Sequence, residues 1–401
     1  MSDYDALVMG AGPAGATAAL KVARAGWRVA FVEKQAFPRR KVCGEFISAT
    51  TWPLLQELGV AAPLQGLAGP VVSRVGLFAG DAVICASMPP ARQAQAQGRA
   101  IGREWLDTAL LEGAVRAGAH SFQPWEVVAA VALADGDWRV TIADPQGTLR
   151  ELRTRVLIDA HGSWERLSMA SEAPRAPRIA SDLIGFKAHF HRSALPAGLM
   201  PLVLFPGGYG GMVASDGGRV SFSCCIRRDA LRSCRDAHPG LSAGDAVVTH
   251  AIESARGVRE ALAGARREAA WISAGPIRPG TRTLARGNLF AAGNAAGEAH
   301  PLVAEGISMA IQSGWLLGER LASQASASDA ALREAGRGYK RDWHRHFATR
   351  VRASRLFAAA TVSPVTSAAS IALMRASPAI LTWGALWSGK AHPVERLGPS
   401  A

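Results

Sequence analysis

The stretch GAGPAGATAAL, residues 10–20, decides how this chain is read. Before it lies the apolar run ALVM (6–9). After it an alanine-rich segment runs from Ala14 to Ala25 with no breaker before Gly26, and WRVAFVEK (27–34) then reads as a second strand. Strand, glycine turn, helix and strand in about thirty residues is the context in which G-x-G-x-x-G holds a dinucleotide. Gly10 permits the tight turn, Gly12 lets the backbone approach a pyrophosphate, and Ala14 and Gly15 let the helix pack close to the strand. The phosphates then sit on the helix N-terminus, and Glu33 at the end of the second strand offers a carboxylate to both ribose hydroxyls. The pattern alone does not separate NAD from FAD.

Composition narrows the classes. The 401 residues are 49% hydrophobic and 19% charged, enough apolar material for a large core. Lys and Arg total 45 against 32 Asp and Glu, a net charge of +13. The basic residues are spread singly, without the interleaved aromatics of a nucleic-acid track, so a solvated basic surface is expected and nucleic acid is not a partner. The five cysteines (Cys43, Cys85, Cys224, Cys225 and Cys234) are odd in number and lack CxxC spacing, which argues against a disulfide framework and against a metal site. Acidic residues stand where a signal peptide would carry positive charge, so a cytoplasmic location is expected.

The segment KQAFPRRKVCGEFIS (34–48) follows the second strand and supplies Lys34, Arg39, Arg40 and Lys41, then Cys43, Gly44 and Glu45. A basic loop entering a second glycine turn suits a ligand that extends from the first turn across the sheet edge. With the glycine fingerprint and the acidic end of strand two, RKVCGE resembles the FAD-dependent group that contains aromatic hydroxylases, flavin-dependent halogenases and geranylgeranyl reductases. CGE is most like the reductases.

Three further segments extend the resemblance. IGREWLDTALL (101–111) is similar to a group segment whose arginine reaches FAD, which implies that role for Arg103; the helix is expected to present Leu106, Leu110, Leu111 and Val115 on one side. RVLIDAHGSWERLS (155–168) loosely matches the second flavin motif, with Asp159 ending a strand and Gly162 in the turn, although Ala160 and His161 intervene. NLFAAGNAAGEAHPLVAEGISMAIQSGWLLGERL (288–321) resembles the third motif: Gly293 makes the turn, Asn294 replaces the usual Asp, and Pro301, Glu305, Gly306 and Ile307 lead into a helix. The resemblance implies that these backbone amides lie beside the flavin. A helix N-terminus there favours the negative charge of reduced flavin. Cys43, Glu45, His300 and Glu305 are the candidate catalytic residues.

The expected fold is α/β: a Rossmann-type FAD-binding domain (1–70, 99–165 and 275–325), an interleaved antiparallel-sheet substrate domain (71–98 and 166–274) and a helical C-terminal region (326–401). Alternating segments between 183 and 226 read as three to five strands flooring a substrate pocket, and 120–158 as a smaller antiparallel addition. The tail is basic and amphipathic up to about residue 355, then uncharged from Leu356 to Met374. Its helices either roof a hydrophobic pocket or touch a membrane surface through 338–389.

An apolar tail beside a flavin implies a phenolic, polyketide or isoprenoid-like substrate. The leading expectation is a hydroxylating monooxygenase using NAD(P)H and dioxygen. The alternatives are a reduced-FAD-dependent carbon–carbon double-bond reductase, in which Cys43 and Glu45 shape the pocket or relay a proton, and a flavin electron carrier without substrate turnover. A halogenase is disfavoured because the Trp-x-Trp-x-Ile-Pro segment is absent.

Overall fold

In a computed structural model that describes residues 2–90, 97–163, 177–324, 327–362, 364–390 and 394, strand β1 (Tyr4–Met9) lies inside an eight-stranded sheet. It runs through the glycine turn into α1 (Pro13–Arg24) and returns as β2 (Val29–Val32), parallel to β1 with Met9 opposite Val32. Both strands are buried nearly end to end, as expected of parallel strands covered on both faces.

The chain then leaves this sheet. β3 (Arg74–Ala79) and β4 (Ala82–Ser87) form a hairpin in a second sheet. Helix α2 (Arg103–Arg116) leads back to β5 (His120–Phe122), parallel to β2. β6 (Glu126–Ala132), β7 (Trp138–Ala143) and β8 (Leu149–Asp159) form the antiparallel addition read from 120–158. The first half of β8 pairs with β7 and the second half runs parallel to β1, so one strand serves both arrangements.

The second sheet also has eight strands. It takes in β9 (Leu183–His191), β10 (Leu199–Phe205), β11 (Gly208–Ala214), β12 (Val220–Arg227) and β13 (Ile272–Ile277). Its central order is β9, β12, β11, β10, β3, β4, antiparallel except where β10 meets β3. The expected boundary at 274/275 falls inside β13, which pairs with β9, because its two isoleucines complete this sheet rather than the first. The boundary at 165/166 lies outside the described residues.

β14 (Leu289–Ala291) adds to the first sheet parallel to β8, and α3 (Gly306–Ala322) follows. α3 lies directly on α1: a Cβ at Gly314 would stand 2.2 Å from the Ala14 carbonyl oxygen. Next come α4 (Asp329–Trp343), α5 (Thr349–Val362), α6 (Pro364–Ala376) and α7 (Ala379–Ala385). Leu332, Ala335, Tyr339, Trp343, Phe347 and Val351 form the buried stripe of α4 and its continuation, and the Tyr339 hydroxyl donates to the Ala291 carbonyl at 2.8 Å.

The buried face of α2 differs from expectation. It comprises Arg103, Leu106, Asp107, Leu110, Gly113 and Ala114, while Val115 is exposed. A Cβ at Gly113 would lie 2.8 Å from Val60 and 2.9 Å from Leu20, so close approach at the small residues rotates the stripe and turns Val115 outward.

Candidate functional site

A cavity of about 730 Å³ extends from the first glycine turn to the second sheet. At its first end Gly10, with φ of +99°, makes a turn that no side chain would fit: a Cβ there would lie 2.7 Å from the Ala160 carbonyl oxygen. Gly12 is different. A Cβ on it would meet only the guanidinium nitrogens of Arg39 at 3.8 Å and Arg103 at 3.9 Å, so the space over the α1 N-terminus is open and two cations converge on it. No side chain caps that terminus, and Pro13 occupies its first turn. Free N–H groups and guanidinium groups facing one gap make an anion site suited to a pyrophosphate.

Arg103 heads α2 and is buried, yet it keeps its charge. Burial opposes ionisation, but a bidentate pair to Asp107 (2.6 and 2.7 Å) outweighs it and raises the guanidinium further above its ordinary range. The i, i+4 helical spacing places the two side chains on one face. Glu33 accepts from the Ala11 N–H and the Gln35 N–H, each at 3.0 Å, and from Arg39 at 3.3 Å. Its carboxylate is thereby fixed at the end of β2, where a ribose would sit.

Most of the candidate cofactor residues line this cavity: Gly10, Gly12, Ala14, Glu33, Lys34, Lys41, Cys43, Gly44 and Arg103 from the first half of the chain, and Gly162, Gly293, Asn294, Pro301, Gly306 and Ile307 from the second. Gly15, Asp159, Arg40 and Glu305 do not. Gly15 acts through packing, since a Cβ there would lie 2.0 Å from the Gly10 carbonyl oxygen. Asp159 accepts from the His161 backbone N–H at 3.2 Å and from its Nδ1 at 3.1 Å, shaping the turn instead of facing the cavity. Arg40 pairs with Glu268 at 2.6 Å and Glu104 at 3.6 Å on the far side, while its neighbour Arg39 takes the cavity side. Only position in the folded loop distinguishes the two.

The four candidate catalytic residues divide in the same way. Cys43 lines the cavity and its thiol lies beside the Arg103 guanidinium. Glu45, expected with Cys43 to shape the pocket or relay a proton, also lines the cavity, but its carboxylate is a tether. It is fully buried at φ of +63°, and its carboxylate pairs with Lys187 and accepts from His189 at 2.8 Å and Ser215 at 3.3 Å. Burial alone would raise this carboxyl, but Lys187 and His189 hold it well below the usual range, so it retains no proton to donate. Glu305 is buried behind the lining and pairs at 3.2 Å with Lys390, which does line the cavity.

His300 does reach the cavity. It is 8% exposed, and burial pushes its imidazole down to about 4, so the ring is neutral at physiological pH. Its backbone N–H donates to Ser354 at 2.9 Å, while Nδ1 is buried without a hydrogen-bond partner among the described residues. The ring of Tyr209, 2% exposed, lies 5.0 Å away, with its hydroxyl near Cys225. Burial pushes the Cys225 thiol up to about 12, so it stays protonated.

The second and third motifs meet at Asn294, whose amide donates to Ser163 at 2.9 Å and to Glu298 at 3.3 Å. The amide oxygen accepts from none of the described residues and is available to a ligand hydroxyl. Glu298 escaped the sequence reading although it lies in the motif, in AAGEAHP. It lines the cavity, and burial raises its carboxyl above the ordinary range despite Arg282 at 3.7 Å. Gly293, at φ of +62°, packs this turn on α1, where a Cβ would stand 2.7 Å from that of Ala14. Among the described residues no group of His, Cys, Asp and Glu has the arrangement of a metal site.

Beyond His300 the walls become apolar. Val75, Met200, Leu202 and Ile277 come from the second sheet, and Met374, Ile380 and Leu381 from the C-terminal helices. The segment FPGGYGG (205–211) divides: residues 205–208 make the β10–β11 turn, and Tyr209, Gly210 and Gly211 line the cavity from within β11. His189 and His191 share one face of β9, as their spacing predicts; His189 is buried against Glu45 and His191 lies near Glu268.

The chain is similar to several known proteins. Over 178 residues it is 30% identical to conditioned medium factor receptor 1 of Dictyostelium discoideum, a match that takes in 40% of this chain and spans about a third (34%) of that protein's length. Over 363 residues it is 27% identical to digeranylgeranylglycerophospholipid reductase 2 of Methanopyrus kandleri, covering 86% of this chain and 83% of the other. The solved structure of the flavin-dependent brominase Bmp2 superposes with a TM-score of 0.77 at 16% identity, covering 98% of this chain and 94% of that one, a likeness of fold. A dinucleotide cradle of two converging guanidinium groups, a ribose carboxylate and an open motif amide agrees with the match of residues 3–342 to the family described as FAD binding domain, and the chain belongs to that family.

Proposed function

We propose that this FAD-dependent oxidoreductase is a hydroxylating monooxygenase that uses NAD(P)H and dioxygen on a hydrophobic small molecule of phenolic, polyketide or isoprenoid character. One observation carries the reading: the dinucleotide cradle opens into a largely apolar compartment, and at the join stand a neutral imidazole, His300, and a protonated hydroxyl, Tyr209. When bound, FAD would supply the redox chemistry, hydride acceptance from NAD(P)H and dioxygen activation.

The chain's own residues bind, orient and exclude water. Gly12, Arg39 and Arg103 would hold the pyrophosphate, Glu33 the adenosine ribose, and Asn294 a ribityl hydroxyl. The α3 N-terminus at Gly306 would place its dipole toward the ring system. The sheet wall and the helical roof keep water from the reacting atoms. His300 Nδ1, neutral and without a protein partner, would take a hydrogen bond from a substrate hydroxyl and draw electron density onto the ring to be oxidised. The overall balance is one C–H bond, one dioxygen, one NAD(P)H and one proton giving C–OH, water and NAD(P)+.

The test is turnover of hydrophobic phenols by the holoenzyme under isotopically labelled dioxygen. One labelled oxygen per product and one NAD(P)H consumed per product are expected. Product gaining two hydrogens with no oxygen consumed would replace this reading with the second, a carbon–carbon double-bond reductase. That reading draws support from the name of the Methanopyrus relative and from the CGE segment. In it Cys43 or Tyr209, not Glu45, would have to supply the proton.

A further inference from the structure

The C-terminal helices have two apolar faces, and the cavity accounts for only one of them. Met374, Ile380, Leu381 and Ala385 line the cavity. Trp383 and Trp387, one turn apart at i and i+4, are each 61% exposed, and Leu373 is 59% exposed. Leu373 also lines the cavity, so the exposed face and the cavity mouth meet at this residue. The arrangement is held in place: the Thr382 hydroxyl donates to the Ser87 carbonyl at 2.7 Å, anchoring α7 on the edge strand β4 of the second sheet. Two bare indoles one turn apart, on and just after an anchored helix, with an exposed leucine on the helix before it, are apolar surface that water penalises, and such surface marks contacts.

The charge of the chain segment that carries these residues indicates what covers them. Between Asp342 and Lys390 the chain has no Asp or Glu and has Arg345, Arg350, Arg352, Arg355 and Arg375. Arg350 is buried, where it donates to Gln312 at 3.2 Å, whereas Arg345, Arg352 and Arg375 are exposed. A segment with exposed tryptophan, exposed arginine and no acidic side chain complements an anionic, amphiphilic surface. Among the described residues no single helix is long and apolar enough to span a membrane, and the pair Ala368–Ala376 and Ala379–Lys390, which passes together, is bent by 110°. A bent apolar pair with indoles outward is the geometry of a helix lying in the headgroup region.

We propose that the face carrying Leu373, Trp383 and Trp387 seats on an anionic phospholipid surface, with the indoles at headgroup depth and Arg375 against the phosphates. The cavity mouth then opens onto lipid, and a hydrophobic ligand passes between bilayer and cavity without entering water. This contact is independent of which redox reaction the cavity supports.

The experiment is co-sedimentation of the FAD-loaded full chain with phosphatidylcholine–phosphatidylglycerol vesicles and with pure phosphatidylcholine vesicles. Partitioning onto the mixed vesicles is expected, weaker onto the zwitterionic ones and weakened by salt. W383A/W387A is expected to lower partitioning by at least about tenfold, from the apolar area no longer buried. R375E is expected to lower it by about tenfold on mixed vesicles only. Neither substitution touches the cofactor cradle, so flavin content reports intact folding. Should the tryptophan variant lose flavin, the salt dependence and R375E still decide the matter. The proposal is overturned if wild-type protein ignores mixed vesicles, or if the tryptophan variant binds them equally well. It is also overturned if the wild type is a dimer that W383A/W387A converts to monomer while vesicles capture neither, which would make this face a contact between copies.

Discussion

The two ends of the cavity treat buried polarity in opposite ways. Around the glycine turn every buried charge has a partner of opposite sign: Arg103 with Asp107, Glu33 with Arg39, Glu45 with Lys187. Where the cavity meets the second sheet, the His300 ring is neutral with its Nδ1 lacking a hydrogen-bond partner among the described residues, and the Tyr209 hydroxyl stays protonated beside the protonated Cys225 thiol. The first arrangement suits a ligand whose charge never varies, because fixed counter-charges lose nothing in reorganisation. The second suits a ligand that brings a large apolar surface and one polar group. Charge pairing preorganises one end, and neutrality keeps the other dry.

The most damaging way to break this comparison is at Glu45, which joins the two ends. Glu45→Gln leaves Lys187 buried and unpaired, and a loss of about 3–5 kcal/mol in urea unfolding is expected. The pH dependence has a definite sign. The Glu45 carboxyl is held below its unfolded value, so its contribution is complete above about pH 5 and disappears as acid is added. The gap between wild type and variant should therefore narrow on acidification. A gap independent of pH would show that the ion pair is not what holds the loop.

A smaller effect is expected at Arg103. Arg103→Leu removes a charge-assisted contact worth roughly 1.5–3 kcal/mol to an anionic ligand, so FAD affinity in a fluorescence titration of apoprotein should fall about tenfold to a hundredfold. Arg40→Leu, on the far side, should leave that affinity unchanged. Equal effects at the two positions would contradict the division between Arg39 and Arg40.

The smallest stability effect is expected at His300, where the comparison is sharpened instead of broken. Replacing an unpartnered buried imidazole by an apolar side chain of similar size, His300→Leu, should alter stability by less than about 1 kcal/mol at pH 7. The imidazole is depressed to about 4, so the unfolded state takes up a proton first as pH falls from about 6.5, and wild type loses stability through that window. The variant lacks this term and should gain on wild type between about pH 6.5 and 4 in thermal or urea unfolding. Its KM for a hydroxylated substrate should rise about tenfold, with little change for the corresponding methyl ether.

What was legible in the sequence was mostly local. The glycine spacing, Glu33 at the end of β2, Arg103 at the start of α2 and the turn at Gly293 each follow from short patterns whose backbone geometry admits few alternatives. Residues in the same segments went astray where their partners are remote. Glu45 reads as a free acid until Lys187 and His189, 142 and 144 positions away, are folded against it. Glu305 reads as a cavity residue until Lys390 comes alongside. Tyr209 and His300 have no sequence relation at all, yet their rings lie 5.0 Å apart.

The sequence by itself determined that a dinucleotide lies between an early and a late glycine turn, because tight turns, open helix N-termini and close helix packing demand particular residues at particular spacings. Only the tertiary structure decided which carboxylates are tethers, which arginine faces the cavity and which ring stays neutral. Those properties depend on burial and on the sign of the nearest charge, and both are set by strands and helices that meet from distant parts of the chain.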